Sequence, residues 1–187
     1  MRPLTVVALT CALALGAAAC GGSDDAAHNR AWARSFCTSL DRWQRSTASS
    51  SQALQDYLKT PNLDTTATKA RLGQYLKDQT TSTDRLIRSL RATGAPAIDA
   101  KEKAVRTLQD GSTAVKTAIA DATAAVDALP VDNGEQFKAG IATANARLSQ
   151  GFASFGDALD RVNRLDTDGK LVKGERAVAA CRPLLSS

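Results

Sequence analysis

The sequence predicts an all-α fold, an up-down-up-down four-helix bundle with a short C-terminal helix. Four long stretches repeat their apolar residues with a period close to 3.6, and no useful length of chain alternates apolar and polar residues as a strand does. Short segments that contain proline or glycine separate these stretches. Aromatic residues make up only 4% of the chain and alanine is abundant, and small side chains let helices pack closely.

The first two helices are predicted on either side of a turn at Pro61 and Asn62. The first has an apolar stripe formed by Trp32, Phe36, Leu40, Trp43, Thr47, Leu54 and Leu58. Its serine- and threonine-rich segment, residues 46–51, has weak helix propensity and could interrupt it. Asp64 suits the N-cap of the second helix. That helix carries Leu72, Tyr75, Leu76, Leu86, Ile87 and Leu90 on one stripe.

The third and fourth helices follow from the same periodicity. Gly94 and Pro96 are typical of the end of one helix and the start of another. The third stripe contains Ile98, Val105, Leu108, Val115, Ile119, Ala122, Val126 and Leu129. Pro130 ends that helix, and Asp132 or Asn133 can cap the next one. The fourth stripe contains Phe137, Ile141, Ala144, Leu148, Phe152, Phe155, Leu159 and Val162. Residues 166–169 then predict a turn before a short helix that extends to Cys181.

The N-terminal segment has the layout of a secretory signal peptide. Arg2 precedes an apolar run from residue 4 to residue 15, and small residues follow. The run is shorter than the roughly 20 apolar residues that a membrane-spanning helix needs. Residues 17–19 and Cys20, read as Ala-Ala-Ala-Cys, resemble the lipobox of bacterial lipoproteins, with Ala17 in the place of the usual leucine. An ordinary signal peptide with an incidental cysteine is the alternative.

The lipobox resemblance implies a domain organisation and a location. It implies that residues 1–19 are removed and that Cys20 carries a thioether-linked diacylglycerol with acyl chains such as palmitate. Residues 20–29 would then form a flexible tether and residues 30–187 the helical domain. The protein would lie at the outer face of the cytoplasmic membrane, which is its first expected partner. The composition is similar to that of small lipoproteins of high-GC actinobacteria.

The charge distribution argues against nucleic acid as a partner. The formal net charge is +5, and lysine and arginine alternate with acidic residues along the whole chain. A nucleic-acid-binding protein concentrates its basic residues in a run or on one face. We therefore expect a solvated surface of mixed charge.

The cysteines predict one disulfide. The chain has 4 cysteines, and the lipobox resemblance implies that Cys11 leaves with the signal peptide and that Cys20 is acylated. Cys37 and Cys181 remain, and a pair of thiols outside the cytoplasm usually oxidises. Two buried free thiols are the alternative. In an up-down-up-down bundle, the start of the first helix and the exit of the fourth lie at the same end, which favours the bridge.

The residue types of the domain do not favour catalysis. The single histidine, His28, falls in the predicted tether, where nothing would orient it. A Ser-His-Asp or Cys-His arrangement inside the bundle is therefore excluded, and we expect neither an enzyme nor a cofactor. Trp32 and Trp43 share the first stripe, so they either face a ligand or supply bulk to an alanine-rich core.

One acidic segment resembles part of an EF-hand calcium loop. Asp166, Asp168 and Glu175 would occupy three ligand positions, and Gly169 would allow the sharp turn. Arg164 stands where the loop normally begins with aspartate, so it removes one oxygen ligand. A helix cap accounts for the same residues, and we therefore predict no metal site.

The sequence leaves two functions open. The anchor and the lack of catalytic groups favour a non-enzymatic interaction or scaffold module with a protein partner. The apolar stripes and the tryptophans favour a helical bundle that binds a lipid or another small apolar ligand.

Overall fold

The computed structural model describes residues 21–182, with side chains described from Asp24 onward. Five α-helices follow one another: α1 (Gly21–Leu58), α2 (Thr65–Thr93), α3 (Lys101–Asp127), α4 (Gly134–Leu165) and α5 (Lys170–Arg176). One turn of 3₁₀-helix, Ala179–Cys181, ends the described chain. No strand occurs in this part of the chain, which confirms the all-α prediction. The predicted signal peptide and Cys20 lie outside the described residues.

Local side-chain chemistry sets the helix ends that the sequence predicts. The Asp64 side chain accepts a hydrogen bond from the Ala67 backbone N–H at 2.7 Å, and Asn133 accepts one from Gln136 at 3.1 Å. Each bond satisfies a backbone donor that has no partner within the first turn of a helix. Gly94 ends α2 with a φ of 73°, a value that favours glycine.

The predicted tether is wrong for residues 21–29, because α1 begins at Gly21. Asn29 is only 1% exposed and exchanges two hydrogen bonds with the loop between α2 and α3. Its Nδ2 donates to the Ala97 carbonyl at 3.1 Å, and its Oδ1 accepts from the Ala97 N–H at 2.7 Å. These contacts hold the start of α1 against the bundle.

Two other boundaries differ from the sequence expectation. Helix α1 continues through residues 46–51, where the Ser50 hydroxyl donates to the Ser46 carbonyl at 3.1 Å instead of competing with the helix. Ile98 lies before α3, which begins at Lys101. The short last helix ends at Arg176 and does not reach Cys181.

Consecutive helices pack side by side, and α3 with α4 makes the most extensive pair. Helices α1 and α4 lack a comparable backbone approach and meet through side chains. The Trp43 ring centroid lies 5.8 Å from that of Phe152 and 5.4 Å from that of Phe155. Helix α5 returns across the bundle and packs on α1. The seam between α1 and α4 is therefore the loosest side of the bundle.

A disulfide joins Cys37 of α1 to Cys181, as the sequence predicts, with an S–S distance of 2.05 Å. Both cysteines are buried, with 2% and 0% exposure. The bridge ties the chain that follows α5 to the side of α1, and so closes one end of the α1–α4 seam. Of the helices described, none is both long and apolar enough to cross a membrane.

Candidate functional site

The α1–α4 seam contains a cavity of about 490 Å³ beside the disulfide, here called the disulfide groove. Its apolar lining comes from Trp32, Phe36, Leu40, Leu159 and Val162. The rings of Trp32 and Phe36 stack with their centroids 4.7 Å apart and their planes 12° apart. The indole N–H of Trp32 donates to the Gly94 carbonyl at 3.1 Å, which fixes the orientation of this ring.

Small residues on α4 keep the groove open. Ala153 and Gly156 face it where larger side chains would fill the space. A Cβ built on Gly156 would meet no atom within 4 Å. At these two positions α4 presents little side-chain volume, so the space between α4 and the two large rings of α1 stays open.

Glu175 of α5 also lines the groove and is only 6% exposed. Its side chain makes no hydrogen bond or ion pair with any described residue, although its backbone carbonyl accepts from the Val178 N–H at 3.0 Å. Burial, together with the nearby negative charge of Asp166, raises the pKa of Glu175 above its ordinary value. A carboxyl without a protein partner in a mostly apolar lining is the most unusual feature of the site.

The close packing of α5 on α1, which a glycine allows, places Glu175 at the groove. A Cβ at Gly174 would lie 3.0 Å from the Asn29 carbonyl oxygen, so glycine lets α5 approach the backbone of α1. Asp166 holds the other end of α5, because its Oδ2 accepts from the backbone N–H groups of Leu171 and Val172 at 2.9 and 3.1 Å. Leu171, Glu175 and Val178 then turn toward the interior, and all three are buried.

The charges around the disulfide groove have one sign. Asp157 and Asp160 line it together with Glu175, and its described lining includes no lysine or arginine. Acidic groups beside apolar walls attract a positively charged ligand, since the low-dielectric walls concentrate the field.

The structure separates the two tryptophans that the sequence places on one stripe. Trp32 lines the disulfide groove, whereas Trp43 does not. Trp43 is 8% exposed, and its indole N–H donates to the Thr83 hydroxyl at 3.2 Å. The two rings therefore do not form a single ligand platform.

The three carboxylates of the predicted calcium alternative have separate roles. Asp166 caps α5, Asp168 lies 3.7 Å from the Lys170 ammonium, and Glu175 lines the groove. Within residues 21–182, no cluster of three or more His, Cys, Asp or Glu side chains could hold a metal ion.

His28 lies on α1, not in a tether as the sequence predicts. Its Nε2 donates to the Ala95 carbonyl at 2.9 Å, so the loop between α2 and α3 orients the exposed ring.

Comparisons with protein-family models, with curated proteins and with solved structures found no match. The site must therefore be interpreted from its own chemistry. Sequence reasoning considered Glu175 only as a calcium ligand and missed its place in the groove. The available signal was its position four residues after Leu171 and three before Val178, on an otherwise apolar helical stripe.

Proposed function

We propose that this protein is a non-enzymatic binding module, anchored through diacylglycerol on Cys20 at the outer face of the cytoplasmic membrane. It holds a small apolar ligand in the disulfide groove. The observation that supports this function is an apolar groove between α1 and α4 whose lining includes the side-chain carboxyl of Glu175, which pairs with no described residue. The anchor is proposed from residues 17–20 alone.

The lining of the groove favours an apolar ligand that carries a positive charge. Binding against the apolar lining of the groove is favoured by about 25 cal/mol for each Å² of apolar ligand surface that leaves water. Glu175 offers a carboxylate to a cation, and the stacked rings of Trp32 and Phe36 offer an aromatic face to it. Alkyl amines and quaternary ammonium compounds combine both features.

A scaffold that docks a protein partner is the second function the sequence leaves open. Such a module usually offers an exposed apolar patch. The large apolar side chains described as exposed are Leu58 and Val131, each at only 40%. The apolar surface of these two residues is small compared with the lining of the groove. Ligand binding is therefore the better supported function.

Filling the groove is expected to abolish ligand binding. Gly156→Leu adds a side chain at a groove-lining position where a Cβ meets no atom within 4 Å, and it removes a glycine from a helix interior, which stabilises the helix by about 0.5–1 kcal/mol. The probe is decyltrimethylammonium below its micellar concentration, measured by isothermal titration calorimetry. We expect at least a tenfold loss of affinity together with an unchanged or higher melting temperature.

Gly73→Leu is the matched control, because a Cβ on Gly73 of α2 also meets no atom within 4 Å and this residue does not line the groove. It should bind the probe as the unmodified protein does. Glu175→Gln should weaken binding of the cationic probe and leave binding of neutral decanol unchanged. Equal binding by the Gly156→Leu and Gly73→Leu proteins would rule out the groove as the site.

Removing the acylated residue is expected to release the protein from membranes. Cys20→Ala takes away the thiol to which the lipid would be attached, and two acyl chains hold a protein at a bilayer where a single chain binds only reversibly. Fractionation of the native host measures the share of protein in the membrane pellet. A Cys20→Ala protein that remains in that pellet after a high-salt wash would contradict the anchor without affecting the proposed groove.

A further inference from the structure

Helices α1 and α2 carry the same eight-residue pattern. Residues 39–46 read SLDRWQRS and residues 82–89 read STDRLIRS, so both follow S-x-D-R-x-x-R-S. The helices run antiparallel, because Trp32 bonds to Gly94 near one end and Ser50 bonds to Gln79 further along. This register brings the two segments side by side.

The two segments line an open pocket of about 210 Å³, here called the arginine pocket. Ser39, Arg42 and Ser46 line it from α1, and Ser82, Arg85 and Ser89 line it from α2. Both sets have the spacing of three and four residues that puts side chains on one helix face. Arg88 also lines the pocket, and the buried side chains of Trp43 and Leu86 contribute its apolar part.

The described residues leave the positive charge of the arginine pocket without a compensating negative charge. Arg42, Arg85 and Arg88 are exposed, and none of them forms an ion pair with a described residue. The pocket's described lining contains no carboxylate.

The acidic residues of the repeated pattern pair elsewhere. Asp41 pairs with Arg45 on its own helix, and Asp84 lies 2.8 Å from the ammonium of Lys116 on α3. Both acids are therefore engaged outside the pocket.

Hydroxyl groups add neutral donors to this site. The Ser39 and Ser82 hydroxyls donate to the carbonyls of Ser35 and Gln79 on their own helices. The hydroxyls of Ser46 and Ser89 make no hydrogen bond within residues 24–182. Two serine donors are therefore available to a ligand beside three guanidinium groups.

We propose that the arginine pocket binds a phosphoryl group, as inorganic phosphate or as part of a phosphate ester. The planar guanidinium group donates two parallel hydrogen bonds to phosphate oxygens, and this geometry suits arginine better than lysine. Arg42 approaches from α1, and Arg85 and Arg88 approach from α2, so a tetrahedral anion can be held from two sides. This site is separate from the disulfide groove and does not depend on the function proposed there.

The repeated pattern supplies its own matched control. Arg45 occupies in α1 the pattern position that Arg88 occupies in α2, yet Arg45 pairs with Asp41 and does not line the pocket. Arg88→Gln and Arg45→Gln therefore remove the same charge from equivalent positions. Only the first removes a donor from the pocket.

The test is calorimetric titration of the purified protein with inorganic phosphate and with glycerol phosphate. Low ionic strength is used because salt screens exposed charges. We expect Arg88→Gln and Arg42→Gln each to weaken binding at least tenfold, and Arg45→Gln to change it less than twofold. Melting temperatures of all three variants should match that of the unmodified protein.

Vesicles distinguish the two sources of a phosphoryl group. If the natural ligand is a lipid headgroup, phosphatidylglycerol vesicles should bind the Arg45→Gln protein but not the Arg88→Gln protein. If it is a soluble ester, glycerol phosphate should bind with the same dependence on Arg88 while vesicles do not. The proposal is overturned if the unmodified protein binds none of inorganic phosphate, glycerol phosphate and phosphatidylglycerol vesicles. It is also overturned if Arg45→Gln weakens binding as much as Arg88→Gln does.

Discussion

Replacing both bridge cysteines, Cys37→Ala together with Cys181→Ala, is expected to lower the melting temperature by about 6–20 °C, which corresponds to about 3–5 kcal/mol for a domain of this size. The bridge spans 144 residues of sequence. In the chain-entropy model, such a cross-link restricts the unfolded chain enough to stabilise the fold by up to about 5 kcal/mol. Thermal unfolding followed by circular dichroism measures the difference.

The bridge also acts in the folded protein, in addition to its effect on the unfolded chain. Helices α1 and α4 lack a close backbone approach, so the seam between them depends on side chains and on the chain that returns through α5. Without the bridge, α5 is held by its own packing on α1 and by the Asp166 cap. Hydrogen exchange in Lys170–Arg176 should therefore accelerate more than exchange in α3.

A reductant provides the control for this prediction. Adding it during refolding should lower the melting temperature of the unmodified protein toward that of the double variant, and should leave the double variant unchanged. A double variant that melts within about 2 °C of the unmodified protein would contradict the assigned role, because such a change corresponds to less than about 1 kcal/mol.

Much of the fold could be predicted because the sequence signals its own helix ends. Asp64 and Asn133 cap α2 and α4 through their side chains, and Gly94 adopts the positive φ that ends α2. These are local interactions that depend on a few neighbouring residues. The start of α1 could not be predicted in this way, because Asn29 is buried by contacts with Ala97, which lies far along the chain.

The sites were harder to predict than the helices for the same reason. A charged residue on an apolar stripe can be recognised in one helix, as with Glu175, but its lack of a partner depends on every helix around it. The arginine pocket combines two segments whose pattern is visible in the sequence. Only the antiparallel register of α1 and α2 shows that Arg42 and Arg85 line one cavity. The periodicity of a sequence thus predicts helices, but it does not show which side chains pair across them.

The pair formed by α3 and α4 depends on small residues at two matching points. A Cβ at Gly111 of α3 would lie 2.5 Å from the Ala158 Cβ of α4. A Cβ at Gly151 of α4 would overlap the Ala118 Cβ of α3 and lie 3.3 Å from the Ala114 carbonyl oxygen. Both glycines are therefore required by the close approach of the two backbones, in contrast to Gly156.

Gly151→Leu is expected to destabilise the fold by about 3 kcal/mol or more, since overpacking a well-packed interface costs about 1–3 kcal/mol and here the backbones themselves must separate. Gly156→Leu is the control on the same helix, five residues further along, where a Cβ meets no atom within 4 Å. It makes the same change of residue and gains the same helix propensity. Urea unfolding of both variants measures the difference in free energy. If the Gly151→Leu protein were as stable as the Gly156→Leu protein, α3 and α4 could not approach as closely at Gly151 as described.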